Sequence, residues 1–436
     1  MTAGETFSGP EMTAYVNARL LDPATGRDET GILLTKGREI ADIGPSVAVP
    51  EGARRIDCLG ACLAPGLIDM RVQVGEPGSE HKGTFQTEGL AAAAGGVTTI
   101  VCLPNTDPPI DDVAMVEFVA RRGAESGVVN VRSYAHLTRA GAGAELTEIG
   151  LLAEVGALAL TDGTRCVADA AVMRRALAYA TGFDVLVMQH AEEPSLTNGG
   201  DMNAGEIATR LGLRGMPPAA EAMMIERDLH LVRMTGARYH VGHVSTALAV
   251  GVIRAAKAEG LQVTCDTAPP YLALNELAVS DYRTFAKLSP PLRSEADRRA
   301  IVEGVVDGTI DAIASDHTPQ DEDDKRLPFS QAEFGAVGLE TLLAVSLGLV
   351  HDGDLDLNTL FARLSLAPAR ILRLPGGTLQ PGAPADLCLF DPDRAWRVKA
   401  DRLMAKSKNT PFDKKPLQGR VLRTVVGGKT VFEIGA

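Results

Sequence analysis

The chain has 436 residues, a formal net charge of −13 at pH 7, and hydrophobic residues at 45% of its positions. The acidic charge and the absence of a basic patch argue against nucleic acid or an anionic membrane as a partner, and no apolar run is long enough to span a bilayer. Residues 1–10 lack the apolar segment of a signal peptide, so we expect a cytoplasmic protein whose six scattered cysteines are buried and reduced.

Both ends of the chain have the pattern of small β-structures. Short apolar runs separated by Gly, Pro and Asp occupy residues 14–21, 31–36, 40–43, 386–390, 420–426 and 430–432. Short strands bounded by turn residues are typical of a small β-sandwich. We predict that residues 1–63 and 376–436 build one such sandwich together.

Between these ends, apolar strands alternate with amphipathic segments of helical length. The eight predicted strands cover residues 67–74, 97–103, 130–136, 157–161, 184–190, 238–244, 262–268 and 312–315. Residues 169–180 and 248–259 are two of the helical segments that follow them. Such alternation implies parallel strands with right-handed crossovers, so we predict an α/β fold in which residues 64–375 form a (β/α)8 barrel.

Five polar residues lie at or just beyond the ends of predicted strands: Asn105, Asp162, His190, His243 and Asp316. The carboxyl ends of the strands form the catalytic face of a (β/α)8 barrel. A single His or Asp near a strand end is more often structural than catalytic. Their shared placement nevertheless predicts a working or relic active site.

Several short phrases, in order along the chain, resemble those of one family. They are P-N-T at residues 104–106, G-H-V-S-T at 242–246, P-P-L-R at 290–293, S-D-H-T-P at 315–319 and K-N-T-P-F at 408–412. From about residue 65 to residue 433 the chain therefore resembles the longer bacterial dihydroorotases, which are metal-dependent amidohydrolases. The resemblance implies a barrel with its active site at the strand ends.

The first barrel strand departs from the pattern of that family. In dihydroorotases it reads P-G-L-I-D-x-H-x-H-x-R, which aims two histidines at one metal ion and an arginine at the substrate carboxylate. The corresponding residues here are Arg71, Gln73 and Gly75. A guanidinium cannot ligate a cation, and a side-chain amide is a poor ligand for zinc. We therefore expect the first of the family's two metal ions to be absent.

The resemblance leaves ligands for a second metal ion. Asp162, His190 and His243 match the family's bridging acid and two histidines, although the family usually has two consecutive aspartates at the first position and the register stays open by one residue. Two histidines and a carboxylate can hold one zinc ion with an open position for water, whose pKa the metal lowers to roughly 7. Asp316 matches the aspartate that shuttles the proton.

The substrate-binding positions have changed more than the metal ligands. The family's contacts fall on Asn105, Ser289 and Gln320, and on Gly75, where the arginine is lost. Only Asn105 is unchanged, while Ser289 and Gln320 can still donate hydrogen bonds. Arg71 projects toward the emptied metal position and is the residue placed to compensate, from a different angle.

Other polar features favour structural roles. Alternation along a strand puts His240 and His243 on opposite faces, so we interpret His240 as structural and expect His317 to pack beneath the site. The charged run at residues 321–326, inside the loop 318–334, is typical of a solvated and mobile surface segment.

Three functions stay open on the sequence alone. The first is a one-zinc hydrolase of a small cyclic amide, which would interconvert dihydroorotate and N-carbamoyl-aspartate in pyrimidine synthesis. The second is a non-catalytic subunit that assembles with aspartate carbamoyltransferase, as some bacterial proteins of this type do. The third is a hydrolase of another cyclic ureide, with Arg71 repurposed. We also expect a homo-oligomer.

Overall fold

Both chain ends meet in one β-sheet, and the middle of the chain forms a closed barrel. The computed structural model describes residues 11–435, so the signal-peptide prediction for residues 1–10 lies outside the described residues. The strands, in chain order, are β1 (Met12–Asp22), β2 (Arg27–Lys36), β3 (Glu39–Gly44), β4 (Arg54–Asp57), β5 (Cys62–Pro65), β6 (Leu67–Val72), β7 (Val97–Cys102), β8 (Asn130–Ser133), β9 (Ala159–Leu160), β10 (Leu186–His190), β11 (Met202–Asn203), β12 (Gly215–Met216), β13 (Tyr239–Gly242), β14 (Val263–Thr267), β15 (Ala312–Ile313), β16 (Leu387–Arg397), β17 (Pro416–Val426) and β18 (Lys429–Glu433).

Strands from the two ends of the chain share one eight-stranded sheet. Its order is β18-β17-β16-β5-β1-β2-β3, with β4 paired to β1, and the antiparallel pairing of β16 with β5 joins the two segments. A separate apolar core contains side chains from both, among them Tyr15, Leu33, Leu387 and Val425. The predicted β-sandwich built from both chain ends is confirmed, while its boundaries at residues 63 and 376 stay predictions.

Eight parallel strands close into the barrel. The ladder β6-β7-β8 forms one part of the wall, and β9-β10-β13-β14-β15 forms the other. An isolated parallel bridge between Ala135 and Leu160 joins the two parts on one side, and a bridge between Val72 and His317 joins them on the other. The ring is therefore complete, and the (β/α)8 prediction is confirmed.

Helices connect the barrel strands and cover the barrel. The α-helices are α1 (Phe85–Ala94), α2 (Val113–Ser126), α3 (Ile149–Glu154), α4 (Ala170–Thr181), α5 (Pro194–Thr197), α6 (Glu206–Leu211), α7 (Ala219–Thr235), α8 (Ala247–Ala258), α9 (Pro269–Ala273), α10 (Glu295–Asp307), α11 (Glu322–Arg326), α12 (Leu342–Ser346), α13 (Gly348–His351), α14 (Leu357–Phe361) and α15 (Ala367–Leu372). The two predicted helical segments are α4 and α8. Each begins after a side chain that accepts a bond from a free backbone N–H, Asp169 for α4 and Thr246 for α8.

Two further predictions concern the chain as a whole. All six cysteines are unpaired and five of them are buried, as expected of reduced thiols. Within residues 11–435, no helix is both long and apolar enough to cross a membrane.

Candidate active site at the barrel mouth

The polar residues at the strand ends lie on one face, the barrel mouth, which is formed by the carboxyl ends of the eight strands. His190 is the last residue of β10 and His243 directly follows β13, while Asp162 and Asp316 come shortly after β9 and β15. This is the face that carries catalytic residues in such barrels. The topology therefore brings the candidates to one region, and their side-chain contacts decide the chemistry.

Arg71 enters the barrel mouth from β6 and is 1% exposed. Its Nε donates to Asp316 Oδ1 at 2.7 Å, and its Nη2 donates to the carbonyl oxygen of Gly163 at 3.4 Å. Its Nη1 is buried without a hydrogen-bond partner among the described residues. The guanidinium thus supplies the positive charge beside Asp316. It is borne by β6, the strand that carries metal-binding histidines in dihydroorotases.

The other two replaced positions differ from each other. Gln73 follows the last residue of β6, two residues after Arg71, and both side chains line a pocket at the barrel mouth. Gly75 has a φ of +86°, and a Cβ atom there would lie 2.7 Å from the carbonyl oxygen of Ser79. A side chain at residue 75 would be strained in this backbone, so the family's arginine cannot be regained by substitution alone.

His190 and His243 contact each other directly. His190 Nδ1 lies 2.7 Å from His243 Nε2, a hydrogen-bond distance, and the ring centroids are 4.8 Å apart with an interplanar angle of 22°. On its other side, His190 Nε2 lies 3.2 Å from Glu192 Oε2. Burial, together with the charge of Arg71, lowers the pKa of His243 well below its usual 6.5. His243 is therefore neutral at pH 7.

Asp162 contacts the loop after β8 rather than His190 or His243. Its Oδ1 accepts hydrogen bonds from the N–H groups of Leu137 and Thr138 at 3.1 and 2.9 Å, and its Oδ2 accepts from the Thr138 hydroxyl at 2.5 Å. These donors belong to the loop after β8. The carboxylate thus fastens that loop to the end of β9.

The predicted zinc ligands do not fit an ion in this arrangement. Within residues 11–435, no group of three or more His, Cys, Asp and Glu side chains is arranged to hold a metal. Asp162 has three donors of its own, and a hydrogen bond at the 2.7 Å separation of His190 Nδ1 and His243 Nε2 requires a proton on one of these nitrogens, which metal binding would have to remove. The three-ligand site remains a prediction, and we derive no reaction step through a metal.

A pocket of about 270 Å³ opens at the barrel mouth. Its lining residues are Arg71, Gln73, Thr164, Ser289, Asp316, Thr318, Gln320, Glu333, Phe334 and Gly335. Two of the three predicted substrate-binding residues, Ser289 and Gln320, are therefore in the pocket. Ser289 Oγ lies 3.4 Å from His190 Nε2, and Gln320 is held by Lys82 Nζ at 2.6 Å and by the carbonyl of Phe334.

The third predicted substrate-binding residue, Asn105, has a structural contact instead. Its Oδ1 accepts from the N–H of Thr164 at 3.2 Å, and its Nδ2 donates to the carbonyl of Asp162 at 3.3 Å. It does not line the pocket. Asn105 shapes the loop after β9, and its role in substrate binding stays a prediction.

Two of the strand-end residues have an unusual backbone. Asp316 has a φ of +52° and His243 a φ of +41°, in the left-handed region that non-glycine residues rarely adopt. Such conformations cost about 1–3 kcal/mol each and concentrate at functional sites. Burial raises the pKa of Asp316 above its ordinary value, and Arg71 opposes the shift. Asp316 is thus the lining carboxylate best suited to accept and return a proton.

Sequence reasoning missed three side chains that organise the site. Glu192 contacts His190, Thr138 binds Asp162, and Asp266 accepts the N–H of His243 at 2.6 Å. Glu192 could have been found from the sequence, since it lies two residues after His190 and alternation along an extended segment puts both on one side. Thr138 and Asp266 carried no such signal, because their partners are distant in the sequence.

The histidines interpreted as structural have full sets of contacts. His240 Nδ1 lies 2.7 Å from Thr264 Oγ1, and its Nε2 lies 2.9 Å from Asp266 Oδ2. His317 Nε2 lies 2.8 Å from Glu88 Oε2. Both rings are buried, as expected of residues that support the site from below.

The expectation of a solvated charged run at residues 321–326 is wrong for Lys325. This residue is 2% exposed, and its Nζ donates to the carbonyls of Thr284 and Glu333 at 3.1 and 2.5 Å. Burial lowers its pKa to about 7. The run folds as α11 after the capping carboxylate of Asp321, and the bonds of the Lys325 ammonium group to backbone carbonyls anchor the loop that lines the pocket.

Comparison with protein families and curated proteins agrees with this architecture. A dihydro-orotase-like family model matches residues 60–248, and an amidohydrolase family model matches residues 334–432. The dihydroorotase of Anaplasma phagocytophilum is 46% identical over 425 residues, covering 96% of this chain and 95% of that protein. The dihydroorotase of Citrifermentans bemidjiense is 43% identical over 415 residues, covering 95% and 98%.

Solved structures show the same fold. The L-hydantoinase (dihydropyrimidinase) of Arthrobacter aurescens superposes with a TM-score of 0.88 at 26% identity and covers 98% of this chain and 97% of its own. The dihydropyrimidinase of Brevibacillus agri superposes with a TM-score of 0.83 at 23% identity, covering 97% and 95%, and supports the fold alone.

Proposed function

Because the chain belongs to the dihydroorotase family of amidohydrolases, we propose that it acts on dihydroorotate or N-carbamoyl-aspartate in the de novo synthesis of pyrimidines. The observation that carries the proposal is identity of 43–46% to proteins named dihydroorotase over 95–96% of the chain. The pocket at the barrel mouth is the place proposed for the cyclic amide. A cytoplasmic location and a homo-oligomeric state belong to the same proposal.

The residues of the pocket suit parts of this chemistry. Asp316 lines the pocket and, with a raised pKa, can take a proton from a nucleophile and return it to the leaving nitrogen. Ser289 and Gln320 offer hydrogen bonds for the ring. Arg71 pairs with Asp316 through Nε, while its Nη1 has no partner among the described residues and keeps donor capacity for a carboxylate.

The decisive experiment is a ring-opening assay. We expect purified protein to interconvert dihydroorotate and N-carbamoyl-aspartate, measured with and without added zinc, and Asp316→Asn to abolish this turnover. Gln73→Asn, in the same pocket, is the matched control. Absence of turnover with both substrates, under either zinc condition, would contradict the proposal.

A second candidate is a non-catalytic subunit that assembles with aspartate carbamoyltransferase. Specific contacts favour it: Arg71 neutralises Asp316, and Thr138 takes up the carboxylate of Asp162. Co-purification with aspartate carbamoyltransferase from the same organism, together with no turnover, is the result expected of this candidate. Turnover by the isolated chain would contradict it.

A further inference from the structure

The position of the Arg71 guanidinium is the starting observation. It reaches the ends of four strands at once: it is borne by β6, donates to Asp316 after β15, and donates to the carbonyl of Gly163 after β9. At β13, a Cβ atom added to Gly242 would lie 3.5 Å from its Nη1. The guanidinium therefore lies centrally in the barrel mouth.

Charge is the second step. A guanidinium remains protonated at every pH at which the protein is folded. It forms an ion pair with Asp316 in which the side chain of Arg71 is 1% exposed and that of Asp316 is 14% exposed. A divalent cation placed beside Asp316 would face a fixed positive charge at short range, with little water to screen it. Arg71 thus already supplies the counter-charge that an ion would provide.

The donors are the third step. Asp162 accepts three hydrogen bonds from Leu137 and Thr138, and His190 and His243 share a hydrogen bond with each other. Metal binding needs deprotonated, unengaged donors that converge. All three side chains would have to break protein contacts before they could ligate one ion.

We infer that Arg71 takes the place of the metal ion, so that the barrel mouth is held together by the protein's own cation and the folded chain needs no divalent metal. This inference concerns the same site as the proposed function, rests on the family membership stated there, and does not depend on turnover. Its readouts are metal content and thermal stability, whereas the proposed function is tested by turnover. Either can fail without the other.

The first test uses the unmodified protein, expressed in medium supplemented with zinc and analysed by elemental mass spectrometry. We expect far less than one zinc per chain, and a melting temperature that neither a chelator nor added zinc changes. One tightly held zinc per chain, whose removal by a chelator lowers the melting temperature, would overturn the inference.

The second test restores the missing donors. In the double variant Arg71→His with Gln73→His, the cation is removed and two imidazoles take its place on the same face of the strand. We expect this variant to take up zinc and to melt at a higher temperature when zinc is added, because binding to the native state stabilises it. Arg71→Lys with Gln73→His is the matched control, since it keeps a positive charge and gains one imidazole. We expect no zinc uptake by it.

Circular dichroism and elution volume establish that each variant is folded. A folded Arg71→His, Gln73→His variant that takes up no zinc would contradict the claim that Arg71 is what displaces the ion. Zinc uptake by the lysine control equal to that of the double-histidine variant would contradict it as well, because the retained charge would then have no effect.

Discussion

The two sides of the barrel mouth differ in how their polar side chains are paired, given that the first strand lacks the family's histidines. On the side of β6 and β15, Arg71 and Asp316 form an ion pair. On the side of β10 and β13, His190 and His243 bind each other, but His243 Nδ1 has no partner among the described residues. Buried polar atoms are nearly always paired. Arg71 Nη1 on the first side also has no partner among the described residues, so the difference lies in what joins each side: a charged pair on the first and a contact between two imidazole rings on the second.

The strongest way to test this contrast is to break the ion pair. Arg71→Met leaves the carboxylate of Asp316, whose side chain is 14% exposed, without its counter-charge, and a loss of about 3 kcal/mol is the lower end of the range for removing one partner of a fully buried pair. We expect a loss of that size in the free energy of unfolding, measured by urea denaturation. The double variant Arg71→Met, Asp316→Asn should recover much of it, because asparagine removes the unpaired charge and tolerates the φ of +52°. Equal losses in the single and double variants would show that the pair contributes no specific stability.

Asp162 provides the next largest effect. Asp162→Ala removes the acceptor for the two backbone N–H groups of Leu137 and Thr138, and each buried donor left unpaired costs about 1–3 kcal/mol. We expect a loss of about 2–4 kcal/mol in the free energy of unfolding. Thr138→Val, which removes only the hydroxyl donor, should cost less. A stability unchanged by Asp162→Ala would leave this carboxylate free for another role.

Substitutions of His243, on the side of β10 and β13, and of His240, which packs beneath it, compare the stability contributed by each histidine. His240→Asn deprives Thr264 and Asp266 of a shared partner, and we expect it to cost about 2–3 kcal/mol. His243→Asn loses one hydrogen bond, and asparagine tolerates the positive φ of +41°, so about 1 kcal/mol is expected. Denaturation of both variants under the same conditions gives the comparison. A larger loss at residue 243 would contradict this expected order.

The smallest expected effect is a pH dependence of the free energy of unfolding, through Lys325 in the loop after β15. Lys325, which anchors the pocket loop, has its pKa lowered to about 7 in the folded protein from 10.5. Between these values the unfolded chain binds the proton and the folded protein does not, so raising the pH favours folding. We expect the stability of the unmodified protein, relative to Lys325→Met, to increase by about 1 kcal/mol from pH 7.5 to 8.5. A constant difference would mean that Lys325 stays charged when folded.

The barrel and the strand-end placement of the candidates could be predicted from the sequence because both depend on local patterns. Runs such as residues 97–103 are mostly apolar and β-branched, and a polar residue after such a run lies at a barrel end whatever its neighbours are. The resemblance to dihydroorotases added the roles of His190, His243 and Asp316, which stay predictions. The replacement of the first-strand histidines was equally visible.

The contacts of the site residues could not be predicted, because their partners are distant. Arg71 pairs with a residue 245 positions away, and nothing near residue 71 indicates which carboxylate it will meet. Asp162 could have faced the histidines or the loop after β8, and only the position of Thr138 decides between them. Lys325 lies in a charged run that favours exposure, yet backbone carbonyls of two other segments bind its ammonium group.

The barrel ring is completed at the bridge between Val72 and His317, and the contacts that reinforce this closure belong to the site itself. The N–H of Ser315 donates to Asp69 Oδ1 at 3.0 Å, and Arg71 crosses the same gap to Asp316. The first and last strands of the barrel are thus joined by side-chain contacts at the place proposed for the small molecule. A ligand that separates Arg71 from Asp316 would weaken the contact that closes the barrel. Binding in the pocket and the stability of barrel closure are therefore coupled.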